Sequence, residues 1–129
     1  MRKLLFLFLL LPFSAFSYQG NPTLEAISKA LSAGDVETLS KYFGDNVEIA
    51  VNDNEQLVPK AKAADLVRAF FNQHKPKSFQ QVHQGASRES SDQYCIGNLA
   101  AGSGNYRVYI YLKTVGSSVT IRELRFDEE

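Results

Sequence analysis

The strongest constraint on the fold is a strict two-residue alternation near the C-terminal end of the chain. Here apolar residues (Tyr106, Val108, Ile110, Leu112) alternate with polar or amphipathic ones (Arg107, Tyr109, Tyr111, Lys113). Successive side chains of a β-strand point to opposite faces, so one set packs on a core and the other faces outward. The segment therefore predicts an antiparallel sheet that is covered on one side.

Three more segments of strand character accompany this one, separated by turns that contain Gly or Ser: residues 79–84, 93–99 and 119–126. In the last segment the apolar residues Val119 and Ile121 occupy odd positions. Further along the same segment, Leu124 and Phe126 occupy even positions. An extra residue in a strand changes the parity in this way, so we expect a β-bulge near Arg122-Glu123.

The first half of the chain has helical periodicity. Thr23 is placed to cap a first helix whose inner face carries Leu24, Ile27 and Leu31. Asp35 is placed to cap a second, whose inward residues are Val36, Leu39, Tyr42 and Phe43. Short strands are predicted at residues 47–51 and 56–58. Residues 60–74 predict one continuous helix that ends before Pro76, with an apolar face of Ala63, Val67, Phe70, Phe71 and His74.

The start of the chain has the pattern of a secretory signal. Met1-Arg2-Lys3 is positively charged, residues 4–13 are apolar, and Ala15 and Ser17 are small residues at the −3 and −1 positions of a cleavage site. A membrane-spanning helix needs about 20 apolar residues, which this run does not reach. We therefore predict a signal peptide at residues 1–17, a single domain at residues 18–129, and export to the periplasm or beyond.

The composition of residues 18–129 argues against nucleic-acid binding and against stabilisation by an internal disulfide. Removal of residues 1–17 leaves 12 basic and 14 acidic residues, because Arg2 and Lys3 are lost. A nucleic-acid-binding domain normally has a basic excess or stripe, so no nucleic-acid partner is expected. Cys95 is the single cysteine, so an internal disulfide is impossible and packing must stabilise the fold.

The order helix, helix, strand, strand, helix and four strands predicts an α+β domain. This order resembles the nuclear-transport-factor-2-like (cystatin-like) fold. The closer resemblance is to a family of exported bacterial proteins known as a domain of unknown function, and it rests on Lys60-Ala61-Lys62-Ala63, Phe70-Phe71, Pro76-Lys77-Ser78-Phe79, His83-Gln84-Gly85, Tyr94-Cys95-Ile96-Gly97 and Tyr106-Arg107-Val108. The resemblance implies a cone in which the third helix packs in the concavity of a curved antiparallel sheet.

Enzymes that share this fold place acid–base groups inside the cone, so the resemblance makes Tyr42, Glu48 and His83 candidates. Glu48 alternates with apolar neighbours and is expected to face solvent. His83 has the parity of Phe79, and we assign a weak ligand pocket to Tyr42 and His83. Cys95 with His83 has the residue types of a nucleophile and its base, but a buried strand thiol is the favoured interpretation. No catalytic residue, metal ligand or cofactor is assigned.

The outward set of the alternating strand is a second candidate. Arg107, Tyr109 and Tyr111 must share one face, and Tyr and Arg are enriched at protein interfaces. An ordinary solvated sheet face with extended side chains is the equal alternative. By analogy with the fold, we expect a homodimer through this face. Two functions remain open: a non-catalytic module that binds a small apolar ligand or a protein partner, and a small-molecule isomerase or hydrolase. A cone filled by Phe43, Phe70, Phe71 and Ile110 would favour the first.

Overall fold

The structure, a computed structural model, describes residues 21–87 and 91–129. The signal peptide expected at residues 1–17, and the first residues of the domain that follows it, lie outside this part of the chain. Within it, no helix has the length and apolar character needed to cross a membrane.

Three helices and six strands make up the described residues: α1 (Pro22–Ala33), α2 (Val36–Ser40), β1 (Phe43–Val51), β2 (Asn54–Pro59), α3 (Lys60–Gln73), β3 (Pro76–Ala86), β4 (Gln93–Ala101), β5 (Gly104–Val115) and β6 (Ser118–Glu128). The strands form a curved sheet in the order β2-β1-β6-β5-β4-β3. Its neighbouring strands are antiparallel except β1 and β6, which run in parallel. The predicted α+β class is confirmed. The parallel pair was not expected, because its two strands are far apart in the chain.

The helix ends differ from the sequence prediction at two points. Asn21, rather than Thr23, caps α1: its side chain accepts hydrogen bonds from the backbone N–H groups of Thr23 and Leu24. Asp35 caps α2 as expected, but α2 ends at Ser40. Phe43 belongs to β1, where it pairs with Ile121 of β6. Because β6 supplies hydrogen-bond partners here, the chain leaves the helical conformation earlier than its periodicity suggests.

The core lies between the helices and one face of the sheet, and aromatic rings fill its centre. Phe70 of α3 stacks on Phe126 of β6, with ring centroids 4.2 Å apart. The ring of Phe70 also packs edge-on against Tyr106, with ring centroids 5.1 Å apart. The rings of Phe71 and Phe126 pack edge-on in the same way, with centroids 6.1 Å apart. Phe43 and Ile110 are also buried. The four residues that were expected to fill the cone therefore do so.

Two β-bulges decide which side chains face the core. Tyr111 pairs with Glu123 and Leu112 with Ile121, so Arg122 is the extra residue of the bulge expected in β6. A second bulge lies in β3, where Gln81 pairs with Gly97 and His83 with Ile96. It leaves Val82 unpaired and turns His83 away from the helices. The expectation that His83 shares a face with Phe79 is therefore wrong.

Strands β3 and β4 are also held together by two contacts between an aromatic ring and a glycine. One contact lies on each face of the sheet. On the inner face, a Cβ atom at Gly97 would lie 2.5 Å from Cε2 of Phe79, so the ring occupies the place of the missing side chain. On the opposite face, a Cβ atom at Gly85 would lie 2.5 Å from Cζ of Tyr94. Such contacts bury the backbone of a strand that has no neighbour on its other edge within the described sheet.

Replacement of Phe70 by Ala is expected to lower the free energy of unfolding by about 3–5 kcal/mol, because it removes the ring that stacks on Phe126 and leaves a cavity. Urea denaturation measures the change. Leu57→Ala is the control, since 73% of Leu57 is exposed and its loss should change the free energy by about 0.5 kcal/mol or less. An equal effect of the two substitutions would contradict a core position for Phe70.

Candidate functional site

Among the described residues, no carboxyl or imidazole group is fully buried in the interior. Every residue buried there is apolar or aromatic, and no charged or strongly polar side chain is among them. Tyr42 is half-buried against the edge of the core, where its backbone carbonyl accepts a hydrogen bond from the N–H of Ile121 at 2.6 Å. Tyr42 immediately precedes β1, whereas His83 lies on β3, and three strands separate them in the sheet. The fold does not bring these two candidates together.

The face of the sheet that points away from the helices, called the outer face below, carries the remaining candidates. The strand register arranges it in three rows. The Arg107 row contains Gln80, Asn98, Arg107 and Asp127. The Tyr109 row contains His83, Ile96, Tyr109, Arg125, Ala50 and Glu55. The Tyr111 row contains Gly85, Tyr94, Tyr111, Glu123, Glu48 and Leu57.

A groove of about 430 Å³ opens in the middle of the outer face, and its lining includes Tyr94, Ile96, Tyr109, Tyr111, Glu123, Arg125 and Asp127. A second cleft, of about 540 Å³, lies on the same face towards the β5–β6 turn and includes Glu48, Leu57 and Val115. Leu57, Tyr94 and Val115 are exposed large apolar or aromatic residues. The outer face thus combines two open clefts with aromatic and apolar side chains.

Hydrogen bonds hold two of the tyrosines of the groove in place. The hydroxyl of Tyr94 lies 3.0 Å from Nε2 of His83. The hydroxyl of Tyr111 donates to Oδ2 of Asp92 at 2.8 Å, and Oδ1 of Asp92 accepts from the N–H of Thr114. The hydrogen bond to Asp92 is the main reason why the pKa of Tyr111 is raised, with desolvation and the negative charge of Asp92 adding to it. These hydrogen bonds restrict the conformations of the two rings.

Carboxylates surround a single guanidinium beside the groove. The side chain of Arg125 extends across Ala50 and forms an ion pair with Glu55. Its Nε atom lies 3.6 Å from Oε1 of Glu123 on the same strand. Glu48 lies on the outer face, as its alternation predicts, next to Glu123 in the register. Desolvation raises the pKa of Glu48, and the charges of Glu123 and Glu55 raise it further. The acidic groups thus outnumber the cation that neutralises them.

The three residues proposed as an interface are neighbours on the outer face. Arg107 is exposed and forms an ion pair with Glu129 at 3.1 Å, while Tyr109 and Tyr111 are half-buried. Their role in binding stays a prediction. The sequence prediction missed Tyr94, Ile96, Glu123 and Arg125, which only the register places beside them. The alternation of β4 and the bulge of β6 were the signals that could have identified these four.

Cys95 and His83 lie on opposite faces of the sheet, so they do not form a nucleophile–base pair. Cys95 is fully buried on the inner face, between Gln84 and Ile110 in the register. Desolvation raises the pKa of its thiol to about 11. Within the described residues, no cluster of three His, Cys, Asp or Glu side chains is arranged to hold a metal ion.

Comparison with known proteins agrees with this architecture. A family model described as "Domain of unknown function (DUF4783)" matches residues 24–127. The chain is 34% identical to a DUF4783 family protein of known structure from Bacteroides ovatus, with a TM-score of 0.76, covering 81% of this chain and 93% of that one. For a second member, from Bacteroides uniformis, the identity is 31%, the TM-score 0.76, and the coverage 81% and 95%.

More distant similarity extends to a putative isomerase from Bacillus subtilis, which is 12% identical, with a TM-score of 0.64 and 84% of each chain covered. At that identity the likeness concerns the fold, which is nuclear-transport-factor-2-like. The comparison with curated proteins gave no match.

We expect Cys95 to react slowly with thiol reagents in the folded protein. A pKa near 11 instead of 9.0 lowers the thiolate fraction at neutral pH about 100-fold, and burial also blocks access. The test compares labelling rates at pH 7.5 with and without denaturant. Ser78→Cys places a thiol at an exposed position and should react rapidly in the native state. Rapid labelling of native Cys95, or a disulfide-linked dimer, would contradict the prediction.

Proposed function

Because this chain belongs to the DUF4783 family of domains of unknown function, its function must be inferred from its own surfaces, and we propose that it is an exported, non-catalytic binding module. Its working surface is the outer face of the sheet, and it binds a protein partner there. The observation that carries the proposal is the contrast between the two faces. Aromatic rings fill the inner one, whereas the outer one opens into the tyrosine-lined groove.

The packing of the interior supports binding on the outer face. A ligand inside the cone would have to displace Phe70, Phe71 or Phe126, whose rings contact one another. Protein interiors pack as densely as crystals, so such a displacement costs several kcal/mol. The outer groove needs no such rearrangement. A protein partner on the outer face is therefore favoured over a small apolar ligand in the interior.

The groove also has the residue types of a protein-binding surface. Tyrosine provides a large contact area and a hydroxyl group while losing little conformational entropy. Tyr94 rests on Gly85 and contacts His83, and Tyr111 is bonded to Asp92. Because these contacts already restrict the rings, less entropy is lost when a partner covers them.

The alternative function, an isomerase or hydrolase with an acid–base site inside the cone, has less support. General acid–base catalysis needs a carboxyl or imidazole group within reach of a sheltered substrate. In the part of the chain that the structure describes, the candidates Glu48 and His83 lie on the outer face, and no carboxyl or imidazole group is fully buried. The half-buried imidazole of His74 packs beside Phe70 and Tyr106 and is hydrogen-bonded to the hydroxyl of Tyr106. The fold shared with the putative isomerase from Bacillus subtilis does not transfer its activity.

Export is expected to yield a protein that begins at Tyr18. When the full chain is expressed in a bacterium, the intact mass of the periplasmic or secreted form should correspond to residues 18–129. Ala15→Leu with Ser17→Leu places large residues at the −3 and −1 positions and should leave the leader attached. Recovery of the uncleaved wild-type chain from the cytoplasm would contradict export.

Binding through the outer face can be tested by site-specific photocrosslinking in the exporting cell. Tyr109→p-benzoylphenylalanine is expected to form a discrete adduct. The same residue in place of Lys29, which is exposed on α1, should form none. The adduct should also disappear when Tyr111→Ser is added, because this substitution removes a side chain that lines the groove and leaves the core residues unchanged. Equal adducts from positions 109 and 29, or none at position 109, would contradict the proposal.

A further inference from the structure

The groove of the outer face has two walls of different chemistry. On the β4 side the wall is aromatic and apolar, with Tyr94 and Ile96. Tyr109 and Tyr111 of β5 lie between the walls, since β5 pairs with both β4 and β6. The wall on the β6 side is charged and consists of Glu123, Arg125 and Asp127. A segment that lies in the groove along β5 therefore contacts an apolar wall on one side and a charged wall on the other.

The charges of the β6 wall alternate in sign along the groove. Glu123, Arg125 and Asp127 are spaced two residues apart in the sequence, so a carboxylate stands at each end and the guanidinium lies in the middle. Four residues of a strand rise about 13 Å. The two carboxylates of the wall are therefore separated by about that distance along the strand.

The carboxylate at the first end, Glu123, is incompletely neutralised. Arg125 is shared between Glu123 and Glu55, and its Nε atom lies 3.6 Å from Glu123. Glu48 lies beside Glu123 in the register and adds a second negative charge. Like charges directly opposite each other on neighbouring strands repel. A further cation at this end therefore finds two carboxylates and only part of one guanidinium.

The carboxylate at the other end, Asp127, is also incompletely neutralised. Arg107 lies beside Asp127 in the register, but the Nε of Arg107 donates to Glu129 at 3.1 Å. Within residues 21–87 and 91–129, Asp127 belongs to no ion pair. Lys113 and Arg122 line the second cleft rather than the groove. The charged wall thus attracts cations at both ends and repels them in the middle.

The repeat of an extended chain matches this spacing. Side chains on one side of an extended segment recur every two residues, about 6.6 Å apart. When one side chain lies opposite Glu123, the residue two positions further lies opposite Arg125, and the residue four positions further lies opposite Asp127. The two side chains between them point the other way, towards Tyr94 and Ile96.

We propose that the partner of the outer face contributes an extended segment with two basic residues four positions apart, a neutral residue midway between them and apolar residues at the two remaining positions. The basic side chains lie opposite Glu123 and Asp127, and the apolar ones pack against the β4 wall. The inference rests on the proposed function, since it specifies the chemistry of the partner in the same groove. Because Arg125 repels a cation at the middle position, the pattern of charges selects the partner as much as their total.

A short peptide tests this pattern directly. The probe is acetyl-Lys-Val-Ser-Val-Lys-amide, and the control, acetyl-Lys-Lys-Ser-Val-Val-amide, has the same composition in a different order. Each is titrated into the isotopically labelled chain purified from exporting cells, and NMR spectra follow the backbone amide shifts. The probe should shift the amides of Tyr94, Tyr109 and Tyr111 and should bind about 5- to 10-fold more tightly than the control, because only the probe reaches both carboxylates.

Removal of single charges tests the two ends of the wall. Glu123→Gln and Asp127→Asn should each weaken binding of the probe about 3- to 10-fold, because each removes one of its two charged contacts. Glu25→Gln is the matched control: it removes the same charge from an exposed position on α1 and should leave binding unchanged. Unchanged amide shifts outside the groove verify the fold of each variant.

Reversal of one charge makes the test specific. Glu123→Lys should bind acetyl-Glu-Val-Ser-Val-Lys-amide more tightly than the probe, whereas the wild-type chain should prefer the probe. A five-residue peptide can lie in the groove in either direction, so a change at one end is sufficient to exchange the preference. A general loss of structure lowers the affinity for both peptides and cannot produce this exchange.

The outcomes separate this inference from the proposed function. An exchange of preference supports the charge pattern. Failure of the probe to bind, equal binding of the probe and the control, or shifts confined to residues outside the groove overturns it. Shifts of the same amides when the chain alone is concentrated overturn it as well, since a second copy then occupies the groove. In each of these cases a discrete adduct at position 109 still supports the binding module, whereas absence of that adduct contradicts the proposed function itself.

Discussion

The stack of Phe70 on Phe126 is the contact on which the rest of the molecule depends. It joins α3, the helix in the middle of the chain, to β6, the last strand, and Tyr106 and Phe71 pack around it. Because these rings occupy the centre of the concave side, the space in which such a fold could bind a substrate is used for stability. The burial of each ring contributes about 1.5–3 kcal/mol, so the filled interior stabilises a domain that has no disulfide.

Two bulges shape the outer face, on which we have proposed that a partner binds. The extra residue Arg122 turns Glu123 and Arg125 outward while Leu124 and Phe126 remain in the core. The extra residue Val82 turns His83 outward beside Ile96. Bulges also bend their strands, so the irregularities that set the direction of these side chains also contribute to the curvature of the sheet.

Electrostatic pairing on the outer face is local and incomplete. Arg125 is shared between Glu55 and Glu123, and Glu48 stands beside them with a raised pKa. Exposed ion pairs of this kind contribute about 0–1 kcal/mol each to the stability of the isolated chain. For the proposed binding, an uneven distribution of charge acts more on specificity than on stability, because it favours a partner whose charges match it.

The sequence alone determined the features that depend on neighbouring residues: the alternation that sends Arg107, Tyr109 and Tyr111 outward, the continuous helix that carries Phe70, and the bulge at Arg122. These follow from the periods of helix and strand, which are properties of a short segment. Only the tertiary structure decided the parallel pairing of β1 with β6, the bulge at Val82 and the groove that joins Tyr94 to Tyr109 and Arg125. The parallel pair joins strands that are distant in the chain, whereas the bulge and the groove depend on the register between consecutive strands. In both cases the register is set by which side chains the whole domain buries, and a short segment does not specify it.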